Sequence, residues 1–261
     1  MKRRFPSRMI AIAAVMLLAG GLVAACDDLL VRRYPEMRYR LTVEVETPEG
    51  LRTGSSVIAT KWALASKRWG PLGGTSGDAW GEAVAVDLGR RGTLFVLLNG
   101  ADGEDWAIYG PGPGVSPLTF TQRKALRDRH PDAEFDPVTD FHMRYAAGLK
   151  GPKVVPRWLD PYSNTPNKPR SGYPLMVRFR DPALPKTVEA VDPDRLDAVF
   201  GKGVKLRRLV KETTDDAVTR GIEQRLPWVR MPAERSLKPG HGPRDHSLAA
   251  MTKIAAFYRD K

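Results

Sequence analysis

The stretch MRYRLTVEVET, residues 37–47, alternates without interruption: Tyr39, Leu41, Val43 and Val45 fall on one face, and Arg38, Arg40, Thr42, Glu44 and Glu46 on the other. A period of two with one apolar and one charged face is the pattern of an antiparallel strand buried on one side only. Pro48, Glu49 and Gly50 supply a turn, and Ser55 to Leu64 reads as the returning strand. Working outward, Glu82–Leu88 and Thr93–Leu98 form a second pair around Gly89 to Gly92, whose glycines permit the positive dihedrals of a tight loop. Trp106–Tyr109 is expected to add a short strand, and Gly73–Gly81 to be a flexible tip, so that residues 37–109 make an antiparallel meander of four or five strands.

Helical grammar begins downstream. Thr121–His130 is helical in composition and stops before Pro131. Asp136 and Pro137 give an N-cap followed by proline at the first helical position, with Val138, Phe141 and Tyr145 along one face and Gly148 as the stop. Asp192 and Pro193 repeat the arrangement ahead of Leu196, Val199, Phe200 and Gly201. Tyr173–Arg180 and Val204–Glu212 read as strands, Val218, Ile222 and Leu226 as a helix, and Leu248, Met251, Ile254 and Tyr258 as an amphipathic C-terminal helix after a linker over Met231–Asp245. The expected class is α+β: an N-terminal antiparallel meander followed by mixed short helices and strands. It divides into a leading segment (1–26), a main domain (27–230), and a linker with a terminal helix (231–261).

The leading segment decides the compartment. Lys2, Arg3, Arg4 and Arg8 precede 17 positions, Met9 to Ala25, without a charged side chain, and Cys26 is followed by Asp27 and Asp28. Seventeen helical residues span roughly 25 Å, against roughly 30 Å of hydrocarbon in a bilayer. Basic charge before the apolar run and acid after it keep the start of the chain cytoplasmic and send the remainder outward. Val23, Ala24, Ala25 and Cys26 resemble the lipobox of bacterial lipoproteins. That resemblance implies cleavage after Ala25 and a diacylglycerol thioether on Cys26, and Asp27 beside it implies retention at the inner membrane, the bulk of the chain facing the periplasm. An uncleaved signal anchor, with Cys26 a small apolar residue near the exit, is the other reading of the same residues.

Composition narrows the partners. Cys26 is the one cysteine, so an exported domain has no internal disulfide and stands on packing alone. Of 42 basic residues the leading segment holds four, which leaves 38 against 30 acidic ones. That excess suits anionic headgroups or acidic envelope polymers, and export argues against nucleic acid.

No residue set demands a cofactor. Asp136, Asp140 and His142, with His130 nearby in sequence, are the side chains that could hold a divalent cation or share a proton in a metal-assisted hydrolase, although Asp136 and Asp140 also sit where a helix start favours negative charge. His241, Asp245 and His246 form a looser group in the linker, with no zinc-site spacing. Gly74 to Gly77 lacks the nucleophile-elbow spacing because Asp78 stands where the second glycine belongs. From Pro152 to Pro174 there are six prolines, with Trp158 among Arg157, Lys168 and Arg170. A loop of this length is a candidate binding element, with Arg157, Trp158 and Arg170 its contact residues. Lys202, Lys205, Arg207, Arg208 and Lys211 read either as a charged sheet edge or as a patch facing anionic headgroups. The expected function is that of a membrane-anchored, non-enzymatic envelope component that binds a protein or an anionic envelope polymer.

Overall fold

The structure, a computed structural model, describes residues 30–69, 74–101, 103, 105–110, 118–148, 151–159, 170–230, 248, 252 and 254–261. The leading segment, the linker and its histidines lie outside the described residues. No helix among the described residues is long and apolar enough to cross a membrane.

The opening hairpin forms as its alternation requires. Strand β2 (Met37–Thr47) pairs with β3 (Gly50–Ala65) over the full register from Met37↔Thr60 to Thr47↔Gly50, with Pro48 and Glu49 in the turn. Gly50 takes φ 114°, a backbone region closed to most side chains. To these strands are added β1 (Val31–Arg33), on the far end of β3, and β4 (Thr75–Glu82), β12 (Lys205–Thr213), β7 (Lys153–Val154) and β13 (Tyr258–Arg259), in the order β13-β4-β3-β2-β12-β7. A second antiparallel sheet runs β11 (Val188–Ala190), β10 (Pro174–Phe179), β6 (Thr93–Gly100), β5 (Val84–Asp87). The fold is thus mixed, mainly antiparallel sheets with a few short helices.

The two sheets pack face to face. Tyr39, Leu41, Val43 and Val45, all but fully buried, meet Val84, Val86, Leu94, Val96 and Met176. The chain passes from one sheet to the other at Ala83, just after Gly81 (φ 141°), and there β3 and β5 approach so closely that a Cβ on Gly54 would stand 2.3 Å from the Ala85 carbonyl oxygen. The reverse face of the second sheet carries Phe95, Leu97, Val177 and Phe179 against Ile222, Leu226, Trp228 and Phe257. Burial on both faces explains why residues 94–98 are an unbroken apolar run, where β2 alternates.

Several elements differ from the expectations drawn from sequence. Residues 106–109 are not a strand but a helical turn, α1 (Trp106–Tyr109), because Asp105 caps it: its carboxylate accepts from the Ile108 amide. Residues 75–82 are not a loop tip but strand β4, paired with β3 from Ala59↔Trp80 to Leu64↔Thr75. Its small residues have a packing cause, since a Cβ on Gly77 would lie 2.6 Å from Ile108 Cγ2 and 3.1 Å from the Trp62 ring. Ile222–Gln224 is a single 3-10 turn rather than a longer helix, pinned by the buried Glu82 carboxylate, which accepts from the amides of Gly221 and Ile222 at 2.8 and 3.0 Å. At the described end of the chain Leu248 is helical, with the Thr252 amide donating to its carbonyl at 2.9 Å, and Ile254–Phe257 is a four-residue helix, whereas Tyr258, expected on the helix, lies in β13; Leu248, Ile254 and Tyr258 all pack onto the main domain. The helices α2 (Phe120–Arg129) and α3 (Pro137–Gly148) form as expected, the first with a complete capping box between Thr119 and Gln122. A later helical turn, α4 (Asp197–Phe200), starts beyond Asp192–Pro193, whose Asp192 instead closes a turn onto the Asp194 amide.

The basic run on β12 is neither a bare edge nor one patch. Arg208 meets Glu44 at 2.8 Å and Arg207 lies 3.5 Å from the same carboxylate, Lys211 turns into the core, and β7 covers the outer edge at Val210 and Lys211.

Candidate functional site

The acid and histidine group sits on α2 and α3, but each carboxylate is already engaged. Asp136 receives Arg127 through Nε at 2.8 Å and Nη2 at 3.2 Å, and the Thr139 amide and hydroxyl at 3.1 and 2.8 Å. Burial pushes the Asp136 carboxyl up, but Arg127 and Thr139 outweigh it and hold the group below the usual carboxylate range. Asp140 accepts from the Tyr34 hydroxyl at 2.6 Å, and Arg32 and Arg144 approach it at 2.9 and 3.0 Å. Burial raises this carboxyl too, and the hydroxyl and the two guanidiniums prevail to lower it. Burial, with Arg123 next, lowers the His142 imidazole and so favours its neutral form. Among the described residues no group of three His, Cys, Asp or Glu side chains is placed to hold a metal ion. Two carboxylates held ionised by separate arginines do the work of a cap and a cross-link: Asp136 closes the start of α3, and Asp140 ties α3 to β1. Beside them lies an open groove of about 530 Å³ lined by Arg32, His130, Phe135, Asp140, Phe141 and Arg144.

The proline-rich stretch builds something different. Strands β8 (Trp158–Leu159) and β9 (Arg170–Ser171) pair with Trp158 opposite Ser171 and Leu159 opposite Arg170. Residues 160–169 between them lie outside the described residues. The pair is bolted to the core from below: Trp106 Nε1 donates to the Gly172 carbonyl at 2.9 Å, and the Gly172 amide donates to the Arg157 carbonyl at 2.9 Å. A Cβ on Gly172 would stand 2.0 Å from the Pro156 carbonyl oxygen, so this close approach requires glycine.

Within that frame Arg157 is fully committed to its own chain. Its Nε and Nη2 grip Asp194 at 3.0 and 2.7 Å, Nη1 donates to Ser171 Oγ at 2.8 Å, and its guanidinium lies 4.0 Å from the Trp158 ring centre and 5.4 Å from that of Tyr173. Arg157 holds the Asp194 carboxyl below the ordinary range, and burial pushes the Tyr173 hydroxyl up. A planar cation gripped by a carboxylate and covered by a ring is a stiff support. It fixes Trp158, which is 54% exposed. Of the three expected contact residues, then, Arg157 and Trp158 come together, with Arg157 as the buttress. Arg170 stands on the paired strand, half-buried.

Sequence reasoning missed Asp194, Ser171 and Tyr173, whose roles depend on contacts across up to 37 residues. It also counted Lys211 among the charges of an edge or patch and missed its burial. That side chain is 3% exposed, with Nζ 3.9 Å from the Tyr39 ring centre and 4.8 Å from that of Trp106, and burial lowers its ammonium to about 7. The available signal was the strand period, which puts Leu209, Lys211 and Thr213 on the face opposite Val43, Leu41 and Tyr39.

The chain matches no family model, no curated protein and no solved structure.

Proposed function

We propose that this chain is an envelope protein held at a bacterial inner membrane by a lipid on Cys26 or by its apolar leading segment, and that its exported domain is a non-enzymatic binding component. Its contact surface is the exposed face of Trp158 with Arg170 on the paired strand, and its partner is another envelope protein or an anionic envelope polymer. One observation carries the reading: a large aromatic ring stands more than half in water while every group beneath it is locked in place. Leaving such a ring exposed forgoes burial worth about 2 kcal/mol, and aromatic anchors on rigid supports dominate binding energies. The paired, neutralised carboxylates of α3 supply no comparable catalytic arrangement. The basic balance of the exported part and the lipobox-like VAAC sequence support the compartment.

The test is a pull-down from envelope extracts with the natural chain, with Trp158→Ala, and with Arg157, Trp158 and Arg170 all replaced by alanine. Trp158→Ala is expected to cut partner recovery roughly tenfold or more with an unchanged unfolding midpoint, as befits an exposed anchor worth about 2 kcal/mol. Partners recovered equally by all three chains contradict the proposal.

A further inference from the structure

The place where the chain enters the domain lies against the α2–α3 connection. The Ser66 amide donates to the Leu30 carbonyl at 2.8 Å, the Lys67 amide to the Glu134 carbonyl at 2.7 Å, and the Ser66 hydroxyl to the Glu134 carboxylate at 3.2 Å. Only Asp27, Asp28 and Leu29 separate Cys26 from Leu30, four steps of chain with a reach of at most about 14 Å. Whatever holds the leading segment therefore holds this pole of the domain. The opposite pole, at Gly50, is about 50 Å away along the 15 steps of β3 from Ala65.

The tethered pole is cationic. On α2, Arg123, Lys124, Arg127 and Arg129 face a single acid, Asp128, and Arg68 and Arg144 stand beside them, 75% and 68% exposed at the side chain. Four of its acids are paired, Asp128 with Lys124, Asp136 with Arg127, Asp140 with Arg32 and Arg144, Glu134 with Arg68, and Asp132 is exposed without an ion pair among the described residues. Neither Arg123 nor Arg129 has an ion-pair partner among the described residues. On helix α2 Lys124, Arg127 and Arg129 are exposed and Arg123 is half-exposed. Cations held within a Debye length of about 10 Å from an anionic bilayer each contribute about 1 kcal/mol of attraction.

We infer that the α2 pole is a docking surface for an anionic phospholipid bilayer, which seats the domain on the membrane its leading segment enters and turns the Gly50 pole outward. This inference rests on the anchored reading above. Trp158 then acts from a domain of fixed orientation instead of one swinging on three residues of chain.

The experiment uses the full chain, with a protease site inserted after Asp28, reconstituted into vesicles of phosphatidylglycerol and phosphatidylcholine or of phosphatidylcholine alone. After the tether is cut at low salt, the domain is expected to sediment with the phosphatidylglycerol vesicles, to leave them at high salt, and to leave the phosphatidylcholine vesicles at once. Replacing Arg123, Lys124 and Arg129 together by glutamine is expected to lower the bound-to-free ratio about a hundredfold, three charges at roughly one decade or less each. Release of the natural domain from anionic vesicles, or equal retention of a triple variant with unchanged near-ultraviolet circular dichroism, overturns the docking surface while leaving the anchor intact. A chain that does not sediment with vesicles before cleavage overturns the anchored reading and this one with it.

Discussion

Lys211→Met is expected to abolish a rise in folding stability of a few kcal/mol that the natural chain shows between about pH 7 and pH 9. The lysine lies on the inner face of β12, between Tyr39 and Trp106, where an apolar residue completes the alternation. Burial brings its ammonium from 10.5 down to about 7. At about 1.4 kcal/mol for each pH unit of that displacement, charging the buried amine costs about 5 kcal/mol. Above about pH 10.5 neither the folded nor the unfolded chain carries the charge, and no penalty exists. Between 10.5 and 7 the unfolded chain is protonated and the folded one is not, so native stability falls as pH falls, by about 1.4 kcal/mol per unit. Below about 7 both are protonated and the whole penalty is present. Denaturant unfolding of the natural chain should therefore gain stability from about pH 7 to pH 9, whereas the methionine chain, of similar volume, should lack that rise. A natural chain with no rise, or a methionine chain that keeps it, contradicts the burial of this ammonium.

Phe257→Ala should cost about 3–5 kcal/mol, the range for emptying a large aromatic site in a packed core. Phe257 is 0% exposed, with ring centres of Trp228, Phe179 and Phe95 at 5.3, 5.7 and 6.5 Å, so its loss leaves a cavity among three other aromatics on the outer face of the second sheet. The backbone joins in, since the Ala83 amide donates to the Phe257 carbonyl at 2.8 Å at the point where the chain crosses between sheets. A terminal helix hanging from a linker would lose a few tenths of a kcal/mol at most. Thermal or denaturant unfolding distinguishes the two, and a midpoint unchanged by the substitution would remove residues 254–261 from the core.

These two sites mark where sequence reading succeeds and where it stops. The β2–β3 hairpin is legible because one face meets the second sheet and the other meets water, so burial writes its period directly into the residues. Asp136 is legible for a related reason: a cap acts on an amide three residues away, and Thr139 is where that rule puts it. Gly77 and its neighbours on β4 resemble a loop because the strand makes room for Ile108 and Trp62, which only the folded chain brings near. Ile222 and Leu226 keep helical spacing, but a carboxylate 140 residues earlier, on Glu82, sets the turn there. The site divides in the same way. Trp158 is visible as an aromatic among prolines, whereas its support by Arg157, Asp194 and Tyr173 arises from contacts that no local pattern contains.

Both contact surfaces require that this domain be delivered to the far side of a membrane. A reporter enzyme that gains activity only outside the cytoplasm, fused after the exposed Lys261, tests that step directly. Activity in cells carrying the natural leading segment, lost when residues 1–26 are removed, is the expected result. Activity of a cytoplasm-only reporter at the same position, with the exported one silent, contradicts the compartment and with it the partners proposed for Trp158 and for the α2 pole.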